Sequence, residues 1–169
     1  MKLIILNGSP AAGKSTVAEK LHADLPLSLL ADVDSWRKLV SGWREHREES
    51  LMHAYAFTVA AVDAYLQTGN SVIVDKAIRG EDVINALAEV GEKNGAEVFE
   101  FILTAQKEVI IKRAEKRGFH ENGLLTPEKV IELWNYAQEL IAQRPHAIVI
   151  DTSALNPDEV YQNIKAIVL

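Results

Sequence analysis

Gly8-Ser9-Pro10-Ala11-Ala12-Gly13-Lys14-Ser15-Thr16 places two glycines, a lysine and a hydroxyl at the spacing G-x-x-x-x-G-K-[ST], an arrangement suited to gripping a polyphosphate. Backbone N–H groups of such a loop turn inward as an anion nest, and the helix that follows adds the positive end of its dipole. Lys14 then reaches the β- and γ-phosphates, and the Ser15 hydroxyl completes a Mg²⁺ shell. The pattern has force only between a strand and a helix. Here the apolar run Leu3-Ile4-Ile5-Leu6 precedes it and an amphipathic stretch follows. A plain glycine-containing strand-to-helix turn is the competing reading, disfavoured by the Lys-Ser at the required position. A nucleoside triphosphate, expected to be ATP with Mg²⁺, would meet Gly8, Ser9, Ala11, Ala12, Gly13, Lys14, Ser15 and Thr16.

Moving a phosphoryl group also needs a positioned acceptor and cations that neutralise the charge spreading over the moving group. Asp34 of Asp32-Val33-Asp34 is the candidate carboxylate that takes or orients the acceptor proton. A helix N-cap is the compatible alternative for it. Asp32 is expected to bind a Mg²⁺-coordinated water, against a solvated loop acid. Asp75 closes the apolar run Val72-Ile73-Val74, the placement of an acid that holds the metal's water shell; a turn residue ending a strand would look the same. Lys76, Arg79 and Arg37 are placed to hold a polar or anionic acceptor, or are solvated surface charges. Arg113 and Arg117, four residues apart, share a helix face and suit a lid over the phosphates. Cations near a helix C-terminus are also favoured by its dipole. His120 is a weaker candidate for a substrate contact, and Arg144 for one to the phosphates. Trp134 shares a helix face with Val130, Leu133 and Ala137 and reads as core, whereas Trp36 and Trp43 stay open.

These residues need elements to position them. Apolar runs at 2–7, 27–31, 71–75, 98–103 and 147–150 read as strands. Helical spacing covers 14–24, 34–40, 50–68, 81–94, 106–117, 126–143 and a last helix opened by Asn156-Pro157. Strands alternating with helices predict a parallel sheet. Ligands of such sheets bind beyond the carboxyl ends of the strands. The polar strand ends Asn7-Gly8, Asp32/Asp34, Asp75-Lys76, Thr104 and Asp151-Thr152 should therefore gather on one rim.

With 169 residues, 48% of them hydrophobic and 25% charged, the chain suits one soluble domain, 1–169. It has no cysteine, which excludes disulfides and thiolate metal sites. The first residues are too short for a signal peptide core, and no apolar stretch approaches the ~20 residues of a membrane span. A cytoplasmic protein is expected, as a monomer or a homodimer. The net charge of −6 disfavours a broad nucleic-acid surface and favours a small acceptor.

Taken together, Gly8 to Thr16, Asp32-Val33-Asp34, Val72 to Asp75, Arg113-Ala114-Glu115-Lys116-Arg117-Gly118 and Ile148 to Ser153 resemble the small P-loop kinases of the adenylate kinase-like superfamily. The likeness spans nearly the whole chain. It is nearest to the shikimate, gluconate and chloramphenicol kinases and to the AAA-type kinase domains related to polynucleotide kinases. It implies a three-layer α/β/α P-loop NTPase fold with a five-stranded parallel sheet of order 2-3-1-4-5 and a small helical lid at about 113–128. It also implies that Asp34 is the acceptor-side acid, that Arg117 is a lid arginine, and that Thr152 and Ser153 lie against the adenine. Asp34-x-x-Arg37 resembles the Asp-x-x-Arg element of the polynucleotide kinase-like members. Two departures stand out. The Gly-Gly-Gly of shikimate kinases and the Asp-Gly-x-Pro-Arg of nucleoside monophosphate kinases are both replaced by Asp75-Lys76-Ala77. The expected activity is transfer of the γ-phosphate of MgATP to a hydroxyl of a small polar molecule. The alternatives are a 5′-hydroxyl polynucleotide kinase-like enzyme and a nucleotide-binding switch or ATPase.

Overall fold

The computed structural model describes residues 1–119 and 125–169. In chain order the elements are β1 (Lys2–Gly8), α1 (Lys14–Asp24), β2 (Leu29–Asp32), α2 (Val33–Arg37), α3 (Arg47–Leu66), β3 (Val72–Asp75), α4 (Glu81–Lys93), β4 (Glu97–Thr104), α5 (Lys107–Lys116), α6 (Pro127–Gln143), β5 (Ile148–Asp151) and α7 (Pro157–Val168). The five strands form one parallel sheet of order β2-β3-β1-β4-β5, as the family resemblance implied. His120, a weak candidate in the sequence, lies outside the described residues.

The central strand β1 shows why the chain folds this way. Its residues alternate between two faces, and both faces are covered. Ile4 and Leu6 pack with Val17 and Leu21 of α1, Phe101 of β4 and Ile164 of α7. Leu3 and Ile5 pack on the other side with Val62 of α3, Ile84 of α4 and Leu140 of α6. All four β1 side chains are fully buried, each stabilising the fold by roughly 2 kcal/mol relative to exposure. A strand buried on both faces reads as a continuous apolar run rather than an alternating one.

Helix starts follow the expected chemistry. Thr126 caps α6, its hydroxyl accepting from the Lys129 N–H at 3.2 Å, with Pro127 next. Asn156 and Glu159 form a reciprocal capping box on α7. Two boundaries differ most from the sequence reading. The segment expected as a helix over 34–40 is helical only over Val33–Arg37. Beyond it, Leu39 N–H bonds Trp36 O and Val40 N–H bonds Arg37 O, tighter turns that end the α-helix. Helix α3 begins at Arg47 rather than 50, because Glu48 and Glu49 favour the positive end of its dipole. Among the described residues no helix is long and apolar enough to cross a membrane.

Candidate active site

The loop between β1 and α1 is held open by its neighbours. Gly8 has φ +122°, and a Cβ there would lie 2.0 Å from the Leu103 carbonyl oxygen on β4. That contact is close because the Ser9 N–H donates to the same carbonyl at 2.9 Å. Ser9 Oγ and Thr104 Oγ1 share a hydrogen bond of 3.0 Å, and Gln138 of α6 donates to Thr104 Oγ1, also at 3.0 Å. Ala11, at φ +53°, and Gly13, at +98°, are left-handed. Turning successive N–H groups inward this way makes a concavity for an anion. The positive φ at a non-glycine residue is strain of the kind functional loops carry. Gly13 then starts α1, whose unpaired N–H groups face the same space.

Lys14 folds back over this loop, donating to Gly8 O at 3.1 Å and Ser9 O at 2.7 Å. Desolvation lowers its pKa from 10.5 to about 8, assisted by the neighbouring cations Lys76 and Arg117 and opposed by Asp75 and Asp34. Asp75 moves the other way. Burial raises its pKa, against the Ser15 hydroxyl and the Lys14 ammonium nearby. Strand register explains the company. Leu6 pairs with Asp75 across β1 and β3, and Asp32 pairs with Asp75 across β2 and β3. Asp32, Asp75 and the phosphate loop therefore stand side by side on the rim.

The residues expected to hold an acceptor are arranged more specifically than the sequence suggested. Asp32, not Asp34, caps α2, accepting from the Asp34 N–H at 3.0 Å and from the Ser35 hydroxyl. Asp34 is exposed and forms an ion pair with Lys76. Arg37 is tied to Ser50 Oγ at 3.0 Å and to the Arg47 carbonyl, and lies over the Trp43 ring, which Arg44 also approaches. Arg79 pairs with Glu132 of α6 at 3.4 Å. Trp36 joins Leu39, Val40 and Phe57 around an apolar hollow of about 440 Å³ opening off α2 and α3.

Two arginines sit elsewhere than expected. Arg113 donates to Thr152 Oγ1 at 2.9 Å and to Thr152 O at 2.7 Å, joining α5 to the turn after β5. Among the described residues its hydrogen bonds go to that turn and not to the phosphate loop. Arg117, one turn on, is exposed and near enough to Lys14 to disfavour its proton. Arg144, read as a weak phosphate candidate, is corrected. It is buried in a bidentate pair with Glu100 (2.5 and 2.8 Å) and donates to Asn85 at 2.8 Å. Glu100 pairs with Ile5, mid-sheet. Trp134 is only half-buried; its indole N–H donates to Ala105 O at 2.8 Å while the ring packs on the core.

Several positioning residues had no assigned role in the sequence. Asn7 Oδ1 accepts from the Gly8 and Ile78 N–H groups (2.7 and 3.0 Å), coupling the phosphate loop to the turn after β3. Tyr55 accepts from Arg79 N–H at 3.1 Å and Tyr136 from Gly80 N–H at 2.6 Å, holding the same turn from α3 and α6. Asn7 is a polar residue ending an otherwise apolar strand, and that was its only visible signal.

A parallel sheet with an anion-binding turn at the carboxyl end of its central strand, a lysine over that turn and an acid on the next strand defines a P-loop nucleotide-binding domain. The family model described as "AAA domain" (AAA_33) matches residues 3–141, more than half the chain, so the protein belongs to that family of P-loop proteins. A cytidylate kinase of Ignicoccus hospitalis is 26% identical over 182 residues, covering all of both chains. Among solved structures, a tunicamycin resistance protein of Deinococcus radiodurans superposes with TM-score 0.67 at 23% identity, covering 99% of this chain and 95% of its own. A gluconokinase of Sinorhizobium meliloti does so with TM-score 0.67 at 16% identity, covering 98% and 90%. The chain is a P-loop kinase-like protein with relatives named as kinases.

Proposed function

We propose that the whole chain acts as one ATP-dependent kinase domain, transferring the γ-phosphoryl group of MgATP to a hydroxyl of a small polar molecule. The observation that supports this most directly is the convergence of Lys14, Ser15, Asp75, Asp34 and Lys76 on one rim position. Gly8, Ser9, Ala11, Ala12, Gly13 and Thr16 would wrap the polyphosphate, and its oxygens offer Lys14 stronger acceptors than the loop carbonyls it now meets. The Ser15–Asp75 pair is an all-oxygen donor set. It suits Mg²⁺, which takes few protein ligands and shares substrate phosphates. Bound there, with Asp32 nearby through water, the ion would supply charge neutralisation on the phosphates.

Asp34 orients the acceptor hydroxyl or takes its proton. The acceptor oxygen forms a new bond to the γ-phosphorus while the bond from that phosphorus to the bridging oxygen breaks. Its electron pair stays on the β-phosphate of the departing ADP. Arg117 neutralises charge from the phosphate side. Arg113 holds the Thr152 turn against which the adenine would lie, and Arg37, Lys76 and Arg79 line the acceptor side.

A panel of sugars, antibiotics, nucleosides, cytidylate and 5′-hydroxyl oligonucleotides, read by acceptor-dependent ADP release, tests the reading beside Lys14→Ala and Asp34→Asn. Asp34→Asn should keep MgATP binding and lose transfer by a factor of about 10² or more. Equal ADP release with and without every acceptor would point instead to an ATPase or switch. Transfer to cytidylate alone would replace the hydroxyl by a phosphate as acceptor.

A further inference from the structure

Lys76 stands where the likeness to shikimate and nucleoside monophosphate kinases leads one to expect glycine, and its surroundings give it more than an acceptor-holding part. We infer that Lys76 is a transfer-step cation, its ammonium facing the phosphoryl group as it crosses from nucleotide to acceptor; this role rests on the kinase reading above.

The placement comes from the sheet. Lys76 extends the β1–β3 ladder, its N–H donating to Leu6 O at 3.3 Å, so its backbone is held beside Asn7 and Gly8 at the start of the phosphate loop. It directly follows Asp75, which stands beside Leu6 and Asp32 on the rim. The Lys76 side chain is only 14% exposed, and among the described residues its ammonium has one partner, the carboxylate of Asp34. Lys76 is therefore fixed at both ends, by its backbone to the strand that leads into the phosphate loop and by its side chain to the acid on the acceptor side, beside the gap a transferred phosphoryl group has to cross.

The ammonium is bonded to one oxygen of the Asp34 carboxylate, so an acceptor hydroxyl can meet the other. From that position the ammonium, its stem enclosed, faces the equatorial oxygens of a γ-phosphoryl group on its way to the acceptor. A charge aimed at that group is strongest where water is excluded and when the group is flattened between its two oxygens. Nothing in this role alters the atoms exchanged, only the charge around them.

The test needs no acceptor. Calorimetry with MgADP, with and without aluminium fluoride, separates ground-state binding from binding of a planar phosphoryl mimic with water in line. Lys76→Met should bind MgADP within about threefold of the unaltered protein and lose the extra affinity conferred by fluoride by roughly 100-fold. Lys76→Arg should recover part of it. Asp34→Asn should keep more of the fluoride gain than Lys76→Met, since the ammonium remains. If Lys76→Met gains as much from fluoride as the unaltered protein, the role is wrong. Loss of MgADP binding itself, or equal losses in Asp34→Asn and Lys76→Met, would also overturn it, leaving Lys76 as a residue that builds the site or acts only through Asp34. Unaltered protein that binds no MgADP, or binds it without any fluoride gain, would instead remove the kinase reading.

Discussion

Lys14 is the residue whose energetics reach furthest. Folding brings its ammonium into a partly desolvated loop, and the shift from 10.5 to about 8 means the fold disfavours its charge. Between those values the unfolded chain holds a proton that the folded chain has released, so stability should rise as pH climbs through that window. At neutral pH the charged form is tolerated at a penalty of about 1–2 kcal/mol once partial hydration is allowed for. Lys14→Met should therefore stabilise the free protein by about that much at pH 7 in urea unfolding, erase the rise above pH 8, and abolish MgATP binding. A destabilised Lys14→Met would show that its bonds to Gly8 O and Ser9 O outweigh the desolvation. Asp75 complements it: its raised pKa means the carboxylate that a metal needs is lost on acidification sooner than at an ordinary aspartate.

Among the elements, the β1–α1 turn depends on β4 more than on its own glycines. Gly8→Ala would drive a methyl group to 2.0 Å from a backbone oxygen at φ +122°, and that oxygen also receives the Ser9 N–H. The expected outcome is a loss of about 3 kcal/mol or more in denaturant unfolding together with much weaker MgATP binding. Gly13→Ala meets nothing within 4 Å but keeps an unfavourable φ of +98°, so it should be the milder of the two by about 2 kcal/mol. Asn7→Ala removes the side-chain link between the Gly8 and Ile78 amides. It should cost about 1–3 kcal/mol and, with the turn carrying Lys76 and Arg79 loosened, weaken transfer more than MgATP affinity. Comparable losses in both would show that Asn7 serves the phosphate loop alone.

For the whole molecule, a buried ion pair and the proposed catalytic residues lie at different heights of the same sheet. The Arg144–Glu100 pair is buried about 13 Å below the rim, since Glu100 precedes Thr104 by four residues along β4. Arg144→Leu leaves the Glu100 carboxylate buried, with only His146, at 3.3 Å, beside it among the described residues. A loss of about 3–5 kcal/mol and a melting point roughly 10 °C lower are expected, with MgATP affinity of the folded protein unchanged. A weakened affinity would place Arg144 in the site after all. The sequence carried the phosphate loop, the strand-helix alternation and the rim of acids, because each is local: a motif, a period, a polar residue ending an apolar run. It misplaced Arg144 and left Asn7, Tyr55 and Tyr136 without roles, because an arginine, an asparagine or a tyrosine looks the same whether it meets phosphate or a partner 24 or more residues away. Which cation neighbours the phosphate loop, which acid caps a helix and which pairs with Lys76 were decided only when parallel register set Asp32, Asp75 and Leu6 side by side, since a side chain's charge acts through distance and desolvation, and both are properties of the packed fold.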